Sequence, residues 1–225
     1  MSIFIAGERI LKLEYEFFKE EFEEIFGTPP DLETRRFVQD LGEYKLLLIK
    51  SRDVPRLVNT NKRVIAGITG KDWYCEYLLS DPQINSRINK RNMREMCNEY
   101  KSATTTYTDL ILVKDYLTIA RAKICSFIKE DFTTSPSVCK SVVTCYPKIT
   151  EKWFNGEKEL IVVSGETEGW VAAGFADMGV DSVATGKTLK RNSLKILDEI
   201  LNTNAIVVSN KRNYDKVKKL WKTKI

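Results

Sequence analysis

Histidine is absent from the sequence. Its absence removes every mechanism built on an imidazole: Ser-His-Asp and Cys-His catalysis, histidine general bases, and His-ligated zinc or non-haem iron. Chemistry here has to rest on carboxylates, lysine, arginine, hydroxyls, backbone amides or a bound ion. Long apolar runs are missing too. Charged residues make up 30% of the chain, and Glu8, Arg9 and Lys12 interrupt the only early apolar segment, so neither a signal peptide nor a membrane span is predicted. Cysteine is sparse and odd in number: Cys75, Cys97, Cys125, Cys139 and Cys145 show no CxxC spacing and read as reduced thiols of a cytoplasmic protein. Cys145, beside Thr144 and Tyr146, has no histidine to activate it and reads as a buried structural thiol rather than a nucleophile. Internal repeats and low-complexity tracts are lacking as well.

What is present is enough apolar content, 43% over 225 residues, to bury a substantial core in one large or two small domains. The net charge of +5 is local. Lys211, Arg212, Lys216, Lys218, Lys219, Lys222 and Lys224 face only Asp215 at the C-terminal end, which leaves the rest of the chain close to neutral. A second basic stretch, Arg87, Lys90, Arg91, Arg94 and Lys101, has Glu95 and Glu99 against it and no interleaved aromatic ladder for stacking bases. Both read as solvated helix faces, and no nucleic-acid or membrane partner is predicted.

The pattern along the chain is α/β. Ser2 to Ala6 is a short apolar strand, and Leu11, Tyr15, Phe18, Phe22 and Ile25 recur at helical spacing until Gly27 and Pro29-Pro30 stop them. Tyr44 to Lys50 and Arg63 to Ile68 read as strands buried on both faces, with helices opening at Asp53-Pro55 and at Lys71, which suggests a parallel sheet. A polar, basic crossover follows Asp81-Pro82 and ends near Thr106. Then come a strand at Asp109 to Lys114, a helix at Thr118 to Phe132, a strand at Ser141 to Cys145, a helical turn at Pro147 to Phe154, a strand at Leu160 to Val163 and a small-residue helix or turn at Val171 to Asp177. Two α/β lobes joined near residue 105 are the expectation.

The stretch that carries chemistry is Asp177 to Leu201. A β segment, Val180 to Val183, runs into Ala184-Thr185-Gly186-Lys187-Thr188, and a helix is expected from there with Leu194, Leu197 and Leu201 on one face. Such a turn aims backbone N–H groups at one point, Thr185 and Thr188 add hydroxyls, Lys187 adds a cation and Gly186 allows close approach, all of which suit a phosphate. It is not a Walker A loop, because the glycine required five positions before Gly186 is Asp181. An acidic residue there suits sugar hydroxyls, as in a ribose-5-phosphate site. A plain strand-to-helix turn with a threonine N-cap explains the same residues equally well.

Three segments in order resemble the ATP phosphoribosyltransferase family. Gly165 to Leu194 (GETEGWVAAGFADMGVDSVATGKTLKRNSL) is similar to its A-D-x-x-x-D followed by T-G-x-T-L-x-x-N-x-L, Ser51 to Glu76 to its D-x-P-x-x-V and G-I-x-G-x-D, and Thr144 to Phe154 to its T-K-Y-P with a following aromatic. The resemblance implies a two-lobed fold like that of periplasmic binding proteins with the site in a cleft between lobes. The first lobe would span 1–104 plus 200–225, on the nucleotide side, and the second 105–199, carrying the phosphate loop. It is the short form that the chain resembles, which implies an oligomer working with a histidyl-tRNA-synthetase-like regulatory subunit. By resemblance, Ala184, Thr185, Gly186, Lys187 and Thr188 bind the 5-phosphate of phosphoribosyl pyrophosphate (PRPP). Asp181 binds its ribose, Glu168 and Asp181 serve catalysis, and Arg9, Lys50, Gly70 and Asp72 face the nucleotide. Mg²⁺ comes with PRPP, and no metal-ligating residue is assigned. The implied reaction is attack of adenine N1 of ATP on the anomeric carbon with loss of pyrophosphate, in the first step of histidine biosynthesis.

Departures from the family pattern are local. Its P-K-G-R is here Ala6-Gly7-Glu8-Arg9, its R-x-A-T-K is Ser141 to Cys145, and Lys50 stands for an arginine, so cations are missing at Gly7, Ser141 and Cys145. Glu8 adds a negative charge, and Trp170 replaces a small residue. Trp170 reads as core packing, with stacking on a base as the alternative. Transfer to an acceptor other than ATP, or binding of a phosphosugar or nucleotide without turnover, remain the competing expectations.

Overall fold

The computed structural model describes residues 2–33, 36–93 and 108–222. In chain order the elements are β1 (Ser2–Gly7), α1 (Glu8–Leu13), α2 (Tyr15–Phe26), β2 (Val38–Leu41), β3 (Tyr44–Ile49), α3 (Val54–Thr60), β4 (Val64–Gly70), α4 (Lys71–Leu78) and α5 (Pro82–Arg87). They continue with β5 (Leu110–Asp115), β6 (Ala122–Lys129), β7 (Ser141–Thr144), α6 (Pro147–Trp153), β8 (Glu159–Val162), α7 (Thr167–Ala173) and β9 (Met178–Val183). The last are α8 (Lys187–Arg191), β10 (Leu194–Thr203), β11 (Ala205–Asn210) and α9 (Tyr214–Lys222). Two units divide them: described residues of 2–77, 108–120 and 204–222 form one, and those of 78–93 and 121–203 the other.

The first unit holds a six-stranded sheet in the order β2-β3-β1-β4-β11-β5. β1 pairs in parallel with β3 and β4, while β11 runs antiparallel to β4 and β5. Every residue of β4 and β11 is buried, as continuous apolar strands covered on both faces should be. Phe18 and Phe22 of α2 and Val217 and Trp221 of α9 join Phe4, Leu46 and Val207 in one core. The basic C-terminal run is thus an amphipathic helix, with Lys216 over the Tyr44 ring and Lys218 over Tyr214. In the second basic stretch Lys90 lies over the Trp153 ring, 4.1 Å from its centre, while Arg94 and Lys101 fall outside the described residues.

The second unit holds a five-stranded sheet in the order β10-β6-β9-β7-β8, with β7 parallel to β8 and β9 and β6 antiparallel to β9 and β10. Two expected helices are strands here. Thr118 to Phe132 contains β6, because Ile124, Cys125, Ser126, Phe127 and Ile128 are buried in succession, which a strand covered on both faces allows and a one-sided helix does not. The helix expected through Leu201 ends at Arg191. Ser193 takes a left-handed conformation and Leu194 begins β10, whose ladder with β6 outweighs the helix-like spacing of its leucines.

The boundary between units also differs from the expected one. β5, placed by sequence in the second lobe, pairs with β11 in the first sheet, and residues 78–93 belong to the second unit. A strand pair between residues so distant in sequence leaves no local signal. Among the cysteines, Cys125, Cys139 and Cys145 are free thiols, but Cys75 is disulfide-bonded, which corrects the expectation for that residue. Among the described residues no helix is long and apolar enough to cross a membrane.

Candidate functional site

Parallel strands end together, so the loops after them converge, and ligands of α/β sheets collect at such carboxyl edges. In the second unit the edge of β7, β8 and β9 brings Cys145, Thr167 and Asp181 to one place. Asp181, near the end of β9, accepts the Thr167 hydroxyl on Oδ2 at 2.7 Å, and on Oδ1 the Ser182 N–H at 2.6 Å and the Cys145 thiol at 3.5 Å. Glu168, the next residue of α7, is half-buried and its Oε2 lies 3.5 Å from the same Thr167 hydroxyl. Below them the turn into α6 is fixed by buried threonines. The Thr144 hydroxyl oxygen accepts the Tyr146 N–H at 2.8 Å, and Thr150 and Thr144 are bonded through their hydroxyls at 2.9 Å. A carboxylate fixed by several donors keeps its aim, and its remaining lone pairs are free to accept further hydroxyls.

The loop after β9 is open to solvent: Ala184, Thr185, Lys187 and Thr188 are exposed. Gly186 has φ 69°, a left-handed turn that glycine adopts without strain. Thr185 Oγ1 accepts the Lys187 N–H at 3.5 Å. α8 is only five residues long, so its dipole is weaker than that of the expected long helix.

Thr167, to which the sequence pointed in no way, is the residue that holds Asp181 Oδ2, and its place there depends on the packing of α7 against β9. Cys145 is half-buried and aimed at Asp181, not the fully buried structural thiol expected. Trp170 is 39% exposed and meets Phe175 edge-on at 6.0 Å, so it is a surface ring and not core.

Ser141 begins β7, so it lies about 10 Å along the strand from Thr144, at the opposite edge from Asp181. Its N–H and hydroxyl both serve Asp177 Oδ2, at 2.9 and 3.1 Å, and the Lys140 N–H adds a third bond at 2.8 Å. These donors, the Ser141 N–H first, hold the Asp177 carboxyl below the ordinary aspartate value of 3.8. A lowered folded-state pKa stabilises the fold above the unfolded-state value and loses that contribution as pH falls through the folded one. The stability gap between the wild type and Asp177→Ala should therefore be constant at neutral pH and close below about pH 4, as urea titrations across that range would show.

In the first unit the carboxyl edge of β3, β1 and β4 carries the other expected residues in a row. Lys50 follows β3 and is exposed, Arg9 lies in the first turn of α1 and is exposed, and Gly70 and Asp72 are buried at the end of β4. The Asp72 carboxylate occupies the space a side chain at Gly70 would need, so any larger residue there would have to displace it. Lys71 pairs with Asp115 at 3.2 Å, and Asn204 Nδ2 donates to the other Asp115 oxygen at 2.6 Å. Arg9, Glu8, Lys12 and Leu13 line an open depression of about 370 Å³. Glu8 is matched there by Lys12 at 2.6 Å, so its negative charge does not stand alone.

The family profile described as ATP phosphoribosyltransferase matches residues 50–224. A protein of Clostridioides difficile (strain 630) with that name is 30% identical over 218 residues, covering 95% of this chain and 89% of its own. One of Campylobacter concisus (strain 13826) is 27% identical over 201 residues, 87% and 82% of the two chains. Among solved structures, the ATP phosphoribosyl transferase (HisG:HisZ) complex from Thermotoga maritima superposes with a TM-score of 0.67 at 20% identity over 98% of this chain and 92% of its own. The arginine-bound ArgBP of T. maritima gives 0.53 at 10% identity, over 97% and 92%. The fold is therefore the α/β type that such binding proteins share.

Proposed function

The chain belongs to the ATP phosphoribosyltransferase family, and from that premise we propose that the Asp181 constellation receives PRPP while the β3, β1 and β4 strand ends receive ATP. The enzyme transfers the phosphoribosyl group of PRPP to N1 of ATP and releases pyrophosphate, the first step of histidine biosynthesis. The observation that supports the assignment of Asp181 is its pair of oxygens, fixed by Thr167, Ser182 and Cys145 beside an exposed Thr185–Thr188 loop.

In this reading the loop holds the 5-phosphate through its N–H groups, two threonine hydroxyls and Lys187. Asp181 orients the ribose hydroxyls. As the bond from the anomeric carbon to pyrophosphate oxygen breaks and the bond to adenine N1 forms, the electron pair leaves with pyrophosphate and positive charge grows on the sugar ring. Asp181 and Glu168 face that charge, and alignment with fixed donors supplies the rate, so no imidazole is needed. Magnesium, when bound, neutralises the leaving pyrophosphate. Among the described residues no group of three or more carboxylates or thiols gathers to hold an ion by itself. Mg²⁺ carried in on PRPP would meet Glu168, the half-buried carboxylate beside Thr167 and Asp181. Like the Thermotoga complex, the chain would work as an oligomer with a second subunit, a histidyl-tRNA-synthetase-like regulator, in the cytoplasm.

The test is pyrophosphate release from Mg²⁺-PRPP, with and without ATP and with a candidate partner subunit. Release that requires ATP is the expected result. Release with another acceptor instead, or none under any condition, counts against the reading. Thr185→Ala should raise the KM for PRPP about tenfold, the cost of one contact to a charged group, and leave that for ATP unchanged.

A further inference from the structure

Cys145 stands on the β7 side of Asp181 where the family pattern has a lysine, and the sheet order puts a lysine on the other side of Asp181. β9 lies between β7 and β6, and in the β6 ladder Phe127 is opposite Gly179, Cys125 opposite Asp181 and Lys123 opposite Val183. Directly opposed residues share a face of the sheet. The Phe127 ring fills the space a side chain at Gly179 would take, and Phe127 packs with Val171 of α7 and Leu189 of α8. Lys123 therefore stands on the face that α7 and α8 cover, the face of Asp181, beside the strand end from which the Ala184–Thr188 loop departs.

Its partner is as telling as its place. Lys123 Nζ meets Glu199 Oε1 at 2.5 Å, with the two side chains 47% and 55% exposed. Glu199 lies opposite Cys125 on β10, and the thiol of Cys125, pushed up to about 11 chiefly by burial, also feels Glu199 and Lys123. An ion pair this exposed is weakly held and screened by solvent. A dianionic phosphate offers a lysine more charge and more acceptor oxygens than one carboxylate does.

We propose that Lys123 is a further phosphate-binding residue of this site, a cation that leaves the Glu199 carboxylate for a phosphate or pyrophosphate oxygen of PRPP. The proposal rests on the reading of the Asp181 site given above. It makes Glu199 a competitor of the substrate, so the two partners have opposite effects. Calorimetric titration of the wild type with Mg²⁺-PRPP, beside Lys123→Met, Lys123→Arg, Glu199→Gln and Thr185→Ala, separates the outcomes. Lys123→Met should weaken binding about tenfold, Lys123→Arg should restore most of it, and Glu199→Gln should tighten it about threefold. If the pair merely ties β6 to β10, both Lys123→Met and Glu199→Gln lower the melting temperature and neither moves PRPP affinity. That result, or a change of the same sign in both, overturns the proposal. Binding weakened by Thr185→Ala and not by Lys123→Met refutes the role of Lys123 alone, whereas a wild type that does not bind PRPP refutes the site assignment and the proposal with it.

Discussion

Asp181→Ala is expected to lower kcat/KM for PRPP by about 10²- to 10⁴-fold. A carboxylate that receives two ribose hydroxyls forms two charge-assisted bonds, each worth about 1.5–3 kcal/mol when the partner is left unpaired, and a factor of ten corresponds to about 1.4 kcal/mol. Loss of the negative charge facing the sugar ring in the transition state acts in the same direction, so kcat falls as well as affinity. Stability should fall by about 1–3 kcal/mol, because the Thr167 hydroxyl is fully buried and loses its 2.7 Å acceptor, while Asp181 and Cys145 are themselves only half-buried. Asp181→Asn, which retains one acceptor oxygen, should fall between the wild type and alanine. Steady-state kinetics with varied PRPP, paired with a melting curve, checks this; a kcat/KM within about threefold of the wild type would remove Asp181 from the site.

The largest effect on stability should come from the first unit. Glu21 of α2 is 1% exposed, and its Oε1 takes both the Tyr116 hydroxyl at 2.7 Å and Lys114 Nζ at 2.9 Å. The Tyr116 oxygen in turn accepts the Trp221 N–H of α9 at 2.7 Å. One carboxylate thus joins α2, the end of β5 and α9. Glu21→Ala leaves a lysine and a buried hydroxyl without their acceptor, and breaking such a pair costs about 3–5 kcal/mol. Urea unfolding followed by tryptophan fluorescence should show it as a lower midpoint at unchanged slope. Burial first, and the Glu21 charge second, push the Tyr116 hydroxyl well above its usual range. A raised folded-state pKa means stability that is present below the unfolded-state tyrosine value of about 10 and is lost as pH rises beyond it. Wild type should therefore weaken above pH 10, and Tyr116→Phe should lack that alkaline component.

How far the sequence could be read depended on whether a signal was local. β1, β3, β4, β7 and the Ala184–Thr188 turn stand in the order of apolar and polar residues, because each is bounded by its own Gly, Pro or Asp. Leu194, Leu197 and Leu201 are spaced as on a helix, and only pairing with β6, some seventy residues earlier, makes them a strand. The same holds for the site. Asp181 and Glu168 could be picked out by spacing and by resemblance to a family. Thr167 could not, since its bond to Asp181 depends on how α7 lies on β9. The missing cation at Ser141 counted against the site in sequence, yet Ser141 lies at the far end of its strand and serves Asp177 instead.

The order of strands in the first sheet also bears on synthesis of the chain. β11 is made after every strand of the second unit, yet it lies between β4 and β5 and supplies hydrogen bonds to both. Until it emerges, β4 has an open edge with every residue apolar or small, and β5 lacks the strand it pairs with among the described residues. The second unit, whose strands all lie between residues 122 and 203, is complete by then. On the ribosome the unit begun first is therefore finished last, and its half-built sheet exposes an adhesive edge while the whole second unit is being translated. A polypeptide terminated before Ala205 would carry that edge permanently, and its fate would be capture by chaperones or aggregation.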